Sequence, residues 1–227
     1  MLANLARRNA LIALLLLVPV ASFGVTMAVY IAPGQMGQLV FSLCKIWLLG
    51  LPVLWFFWHD RLKLSLPKRR EWVAGISLGL VMFATILAVY GLWGQSGIDA
   101  IAVREKAQAV GIGSPTIYFF GALYFILINS LLEEIIWRWF VYRQWEILVP
   151  VKAAIILSAF CFTLHHIIAL SAYLGWTMVI LGSLGVFLAG VVWSWCYLTY
   201  RSIWVGYFSH ILADLAIALV AWDILFT

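Results

Sequence analysis

Glu133, Glu134 and Arg138 in NSLLEEIIWRWF, His165 and His166 in SAFCFTLHH, and His210 and Asp214 in GYFSHILAD all fall inside apolar runs. Carboxylates and imidazoles take a proton from water and give it back, so this set suits general acid–base chemistry. Two histidines with a carboxylate also satisfy the ligand chemistry of zinc. The sequence carries no HExxH, however, and the expected site holds no metal and needs no cofactor. Covalent catalysis lacks its parts, because Ser158 and Ser209 have no base-and-orienter pattern beside them. A Glu–Arg pair in an apolar helix also serves as a clamp between helices, and buried Glu and His also serve proton-coupled transport. The residue types therefore leave three readings open: a water-activating enzyme, a small proton-coupled transporter, and a non-enzymatic membrane scaffold with a structural polar core.

Helical spacing sorts these residues into roles. Glu134 and Arg138 are separated by four, with the acid N-terminal, which is the favourable order for an ion pair. Glu133 lies about 100° round the helix from Glu134, so it is the carboxylate left freer for chemistry. Asn129 stands one turn before Glu133 and shares its face. His210 and Asp214 share a face in the same way. His165 and His166 point in different directions, so one of them is expected in the cavity and the other against lipid or a neighbouring helix.

The elements that must position these groups are membrane spans. Of 227 residues, 66% are hydrophobic and only 10% charged, against roughly 25% charged in soluble domains. A span needs about 20 mainly apolar residues as helix. Seven runs qualify: 10–31, 38–58, 72–93, about 116 into the Glu133–Glu134 stretch, 149–170, 177–198 and 203–225. Period-two alternation is absent, which excludes a β-barrel. The expected fold is an all-α polytopic transmembrane bundle forming one membrane domain over 1–227. The 94–115 loop either lies on the surface or hides an eighth helix. The run after Arg7 and Arg8 imitates a signal peptide, but it stays apolar through Tyr30 and reads as an uncleaved first span.

Loop charge orients the bundle. Arg7 and Arg8, the 59–71 loop with Arg61, Lys63, Lys68, Arg69 and Arg70, then Arg143, Lys152 and Arg201 fall on one side. The 94–115 loop, with Asp99, Arg104, Glu105 and Lys106, sums to zero. A cytoplasmic N-terminus follows from the positive-inside rule. The net charge of +5 is thereby explained without nucleic acid. Lys45, inside the second run, is expected to snorkel to a membrane surface. Cys44, Cys161 and Cys196 are odd in number, sit in apolar runs, and read as small buried hydrophobes. Gly182, Gly185 and Gly190 permit close contact of the sixth span with its neighbours.

Three short motifs in order, Glu133-Glu134-x-x-x-Arg138, Phe162-x-x-x-His166 and His210-x-x-x-Asp214, resemble those of the CAAX-protease and bacteriocin-processing family of intramembrane endopeptidases. The resemblance covers about residues 116–216. It implies a catalytic core there, with Glu133 and His166 activating a water, His210 and Asp214 at the oxyanion, and Glu134 and Arg138 in support. It implies a glutamic peptidase without zinc, in a bacterial-type inner membrane, acting on a membrane-anchored or lipidated protein or peptide. His166 keeps the spacing from Phe162, so it is the histidine expected in the cavity. Asp214 departs from the Asn common at that position. An ionised carboxylate only accepts hydrogen bonds, which suggests that Asp214 orients His210. On the expected boundaries His166 lies roughly 10–15 Å deeper than His210, so the helices must be tilted, staggered or broken.

Overall fold

The computed structural model describes residues 2–59 and 65–227. All regular structure among them is helical. Seven helices are long and apolar enough to cross a membrane: α1 (Asn4–Ile31), α2 (Gln35–Phe57), α3 (Arg69–Gly97), α5 (Pro115–Leu148), α6 (Val151–Tyr173), α7 (Trp176–Tyr200) and α8 (Trp204–Phe226). The eighth, α4 (Ala100–Ala109), occupies the 94–115 loop. Its first turn is closed by Asp99, whose Oδ1 accepts from the Ala102 N–H at 3.1 Å. The expected spans match these helices to within a turn or so at nearly every end. The exceptions are the N-terminal end of α1, which begins six residues before the expected run, and the C-terminal end of α5, whose stop the expected run leaves open.

Charge grouping at the two ends is reproduced by contacts. At one end Arg7 donates to the Leu148 carbonyl at 3.1 Å, Trp204 Nε1 to the Ser65 carbonyl at 2.6 Å, and Arg201 to Glu146. At the other end Tyr118 donates to the Ala218 carbonyl at 2.6 Å and Arg104 to the Ile224 carbonyl at 2.7 Å. Arg61 and Lys63 lie outside the described residues.

Helix α5 is the axis. Its C-terminal half supplies Ile136, Trp137, Phe140 and Val141 to the main core, where they meet Leu14 and Leu17 of α1, Leu48 of α2, Phe162 of α6 and Trp193 of α7. Lipid is as apolar as these side chains, so close packing and interhelical hydrogen bonds must hold the bundle. Small residues supply the packing. Gly75 and Gly79 bring α3 against Phe208 and Leu212 of α8. Gly190 brings α7 against Ala159 and Phe162 of α6, and Gly182 meets Leu170. Gly185, expected in the same role, faces open space. Ser158 on α6 donates to the Trp137 carbonyl at 3.1 Å, a bond of a kind that contributes about 0.6 kcal/mol in membranes.

Candidate active site

The backbone of α5 changes pitch where the chemistry gathers. Phe125–Asn129 and Glu134–Tyr142 bond from i to i+5, and Ser130–Glu133 is a single α-helical turn between them. Such π-helical turns concentrate at functional sites. Here they set Asn129, Ser130, Glu133, Glu134 and Arg138 in the interior, each no more than 6% exposed.

Glu134 and Arg138 pair as their spacing predicts, at 3.4 Å. That separation is too loose for a good hydrogen bond. The guanidinium lies instead between two aromatic faces, 4.3 Å from the centre of Phe162 and 4.8 Å from that of Trp193. Glu134 has a second partner, because its Oε1 stands 3.2 Å from His210 Nδ1. Its other oxygen lies over Gly206 of α8, where any Cβ would overlap it. That glycine is what lets α8 approach the carboxylate.

His210 stands among three acids. Its Nε2 is 3.7 Å from Glu133 Oε2 and 3.7 Å from Asp214 Oδ2. Trp193 stacks on the ring at 4.1 Å and 21°, and Trp193 is itself fixed by donating to Ser209 at 2.8 Å. N–H groups at both ring positions would give these carboxylates a donor. Asp214 accepts from Ser130 at 2.7 Å, a shorter bond than its approach to His210. Ser130 escaped the sequence reading, although it sits one turn before Glu134.

Glu133 accepts from Asn129 Nδ2 through Oε1 at 3.0 Å. His166 Nδ1 lies 2.9 Å from the Phe162 carbonyl, which requires an N–H there and leaves Nε2 as an acceptor in the neutral ring. Glu133, His165 and His166 bring one ligand atom each within 4.8 Å of one another, a donor set that could hold a water or a divalent metal ion.

Two expectations change. Only one of His165 and His166 was to face the cavity, yet a ring nitrogen of each lies within 4.8 Å of a Glu133 oxygen. Adjacent residues on a helix straddle a partner that points between them, and two imidazoles are long enough to converge. His165 also stacks on Trp137 of α5 at 5.2 Å. Lys45 was to snorkel, but its ammonium donates inward to Asn129 Oδ1 at 2.7 Å. A mid-span lysine costs about 2.5–3.5 kcal/mol on an insertion scale, and this polar partner offsets part of that.

The depth difference between His166 and His210 shrinks once the helices are in register. Ala154 of α6 packs with Tyr142, Tyr197 and Ile203 at one level. Counted from Ala154 and Ile203, His166 is about 18 Å along and His210 about 10 Å. The Glu133 carboxylate spans the remainder.

Residues 115–216 match the family described as type II CAAX prenyl endopeptidase Rce1-like. That segment, a little under half of the chain, is similar to this family. All three motifs, and every ionisable residue of the cluster except Lys45, fall within the Rce1-like segment, while α1 to α4 precede it. The Rce1-like match and the Glu/His cluster together support an intramembrane peptidase of the glutamic type. No curated protein and no solved structure matches the chain.

Proposed function

We propose that the protein is an intramembrane endopeptidase that hydrolyses a peptide bond of a membrane-anchored or lipidated protein or peptide, with its catalytic core at about 116–216. The observation that carries this reading is the convergence of His165 and His166 from α6 and His210 from α8 on the Glu133 carboxylate. A water held between Glu133 and the His166 Nε2 lone pair gives its proton to Glu133 as its oxygen attacks the scissile carbonyl carbon. The carbonyl π electrons move onto oxygen, and the His210 Nε2–H, held by Glu134 and flanked by Asp214, faces that oxyanion. Collapse of the tetrahedral species breaks the C–N bond. Glu133 then returns its proton to the departing nitrogen, leaving an amine and a carboxylic acid. Arg138 and Glu134 hold the frame, and Asp214 fixes the His210 ring through a geometry that Ser130 anchors. The N-terminus is cytoplasmic, the membrane a bacterial-type inner membrane, and no nucleic acid takes part.

The test is cleavage of a lipidated peptide by protein purified in detergent. Glu133→Gln should lose turnover by about 10²–10⁴-fold while melting like the parent. Elemental analysis of the active parent should find far less than one zinc per chain. A folded Glu133→Gln protein with parental turnover would sink the assignment. Stoichiometric zinc, removed and restored together with activity, would replace it by a metal mechanism.

A further inference from the structure

Lys45 lies near the middle of α2, an apolar helix that precedes the residues of the matched segment. Its Cα is about 15 Å along the helix from Gln35, further than a lysine stem reaches. The ammonium is held on the inner side. It lies 5.5 Å from the centre of the Phe41 ring, one turn earlier on the same helix. It donates to Asn129 Oδ1 at 2.7 Å. The amide of Asn129 then donates through Nδ2 to Glu133 Oε1 at 3.0 Å.

The direction of this chain is fixed by chemistry. An ammonium only donates and an ionised carboxylate only accepts. An amide between them satisfies both in one orientation only, oxygen toward Lys45 and nitrogen toward Glu133. The alternative flip would set NH₂ against NH₃⁺ and oxygen against carboxylate. Asn129 is 5% exposed, so water does not compete freely for either contact. One Glu133 oxygen is thus occupied by Asn129, and the other is presented toward His210.

We propose that Lys45 is a positioning residue for the peptidase reaction, acting through Asn129 to hold Glu133 Oε1 so that Oε2 faces the histidines and the substrate. This rests on the function proposed above. It also makes α2 part of the working site, although the matched segment begins at residue 115. A lysine serving only to pack α2 against α5 would leave the orientation of Glu133 unchanged.

Four readouts on the whole chain, residues 1–227, decide the matter. Lys45→Met should lower kcat on the lipidated peptide about 10–100-fold, the usual effect of removing a group that orients a catalytic one, with little change in KM. Lys45→Arg should recover part of that loss, because a donor cation returns. The double variant Lys45→Met/Asn129→Ala should be no slower than Asn129→Ala alone, since residues in one chain of contacts are not additive. If Lys45→Met does not fold, Lys45→Gln carries the same comparison. Infrared difference spectra supply a readout free of turnover: the carboxylate band that vanishes in Glu133→Gln should shift in Lys45→Met. Parental kcat in folded Lys45→Met, additive losses, or an unmoved Glu133 band would each overturn the proposal. A parent that cleaves nothing would instead remove the peptidase reading, and the infrared comparison would still decide whether Lys45 acts on Glu133.

Discussion

Helix α5 carries two carboxylate–guanidinium pairs twelve residues apart, and they are built in opposite ways. Glu146 and Arg201, at the end of the bundle, form a fork of two hydrogen bonds at 2.8 and 2.7 Å. Arg201 is 54% exposed, and its guanidinium is held above its ordinary pKa, chiefly by the hydrogen bond to Glu146. Glu134 and Arg138 are each 1% exposed, stand 3.4 Å apart, and leave the guanidinium without a hydrogen bond among the described residues. The exposed pair is complete and has nothing left to offer. The buried pair is incomplete because its carboxylate is shared with His210 and its cation rests on aromatic faces. Good ion-pair geometry marks a fastening here, and compromised geometry marks the neighbourhood of the proposed site.

The contrast predicts graded losses. Arg138→Met leaves Glu134 buried without its cation and should cost about 3–5 kcal/mol of stability, read as a lower unfolding midpoint in detergent. Adding Glu134→Gln should recover part of that loss, because the stranded charge goes with it. Should Arg138→Met unfold no more easily than the parent, the buried pair contributes nothing and the contrast collapses. Gly206→Ala comes next. Its new methyl meets the Glu134 carboxylate, and overpacking of this kind costs about 1–3 kcal/mol. Gly185→Ala, with open space around it, is the control expected to be silent, and equal melting of the two would show that α8 does not need this close approach. The smallest effect belongs to Arg201→Gly. Arg201 has φ of +49°, so glycine relieves about 1–2 kcal/mol of left-handed strain while losing an exposed pair worth about 0–1 kcal/mol. Melting within a degree or two of the parent, or slightly above it, is the expected result, and a large fall would make the exposed fork a principal fastening.

Much of this was legible in the sequence. Hydrophobic length alone places the seven spans, because a bilayer admits few other structures. The association of Glu134 with Arg138 follows from local spacing that any helical backbone nearly preserves. Lys45 and Asn129 were harder, since their contact joins residues 84 positions apart and depends on how α2 crosses α5. His165 was legible in part: its contact with a neighbouring helix, Trp137 of α5, was expected, but a one-dimensional wheel assigns each residue one direction and so hides its nearness to Glu133. Ser130 offered only its proximity to the glutamates. The pitch change of α5 leaves no clear mark in composition, since the same apolar residues suit either ladder.

That pitch change bears on how the chain tolerates insertion and deletion. A bond from i to i+5 accommodates one more residue per closed turn than a bond from i to i+4. Loss of one residue between 139 and 142 would let the ladder from Glu134 tighten to regular α-helix without breaking the rod. Everything beyond would then keep its orientation relative to the glutamates, because the residue lost is the extra one that the wide turn absorbs. Glu146 would stay opposite Arg201, whereas one residue lost from an α-helical stretch would turn it away by about 100°. The wide-pitched stretch is therefore the part of α5 where one residue can be lost while the glutamates and the end of the helix stay in register.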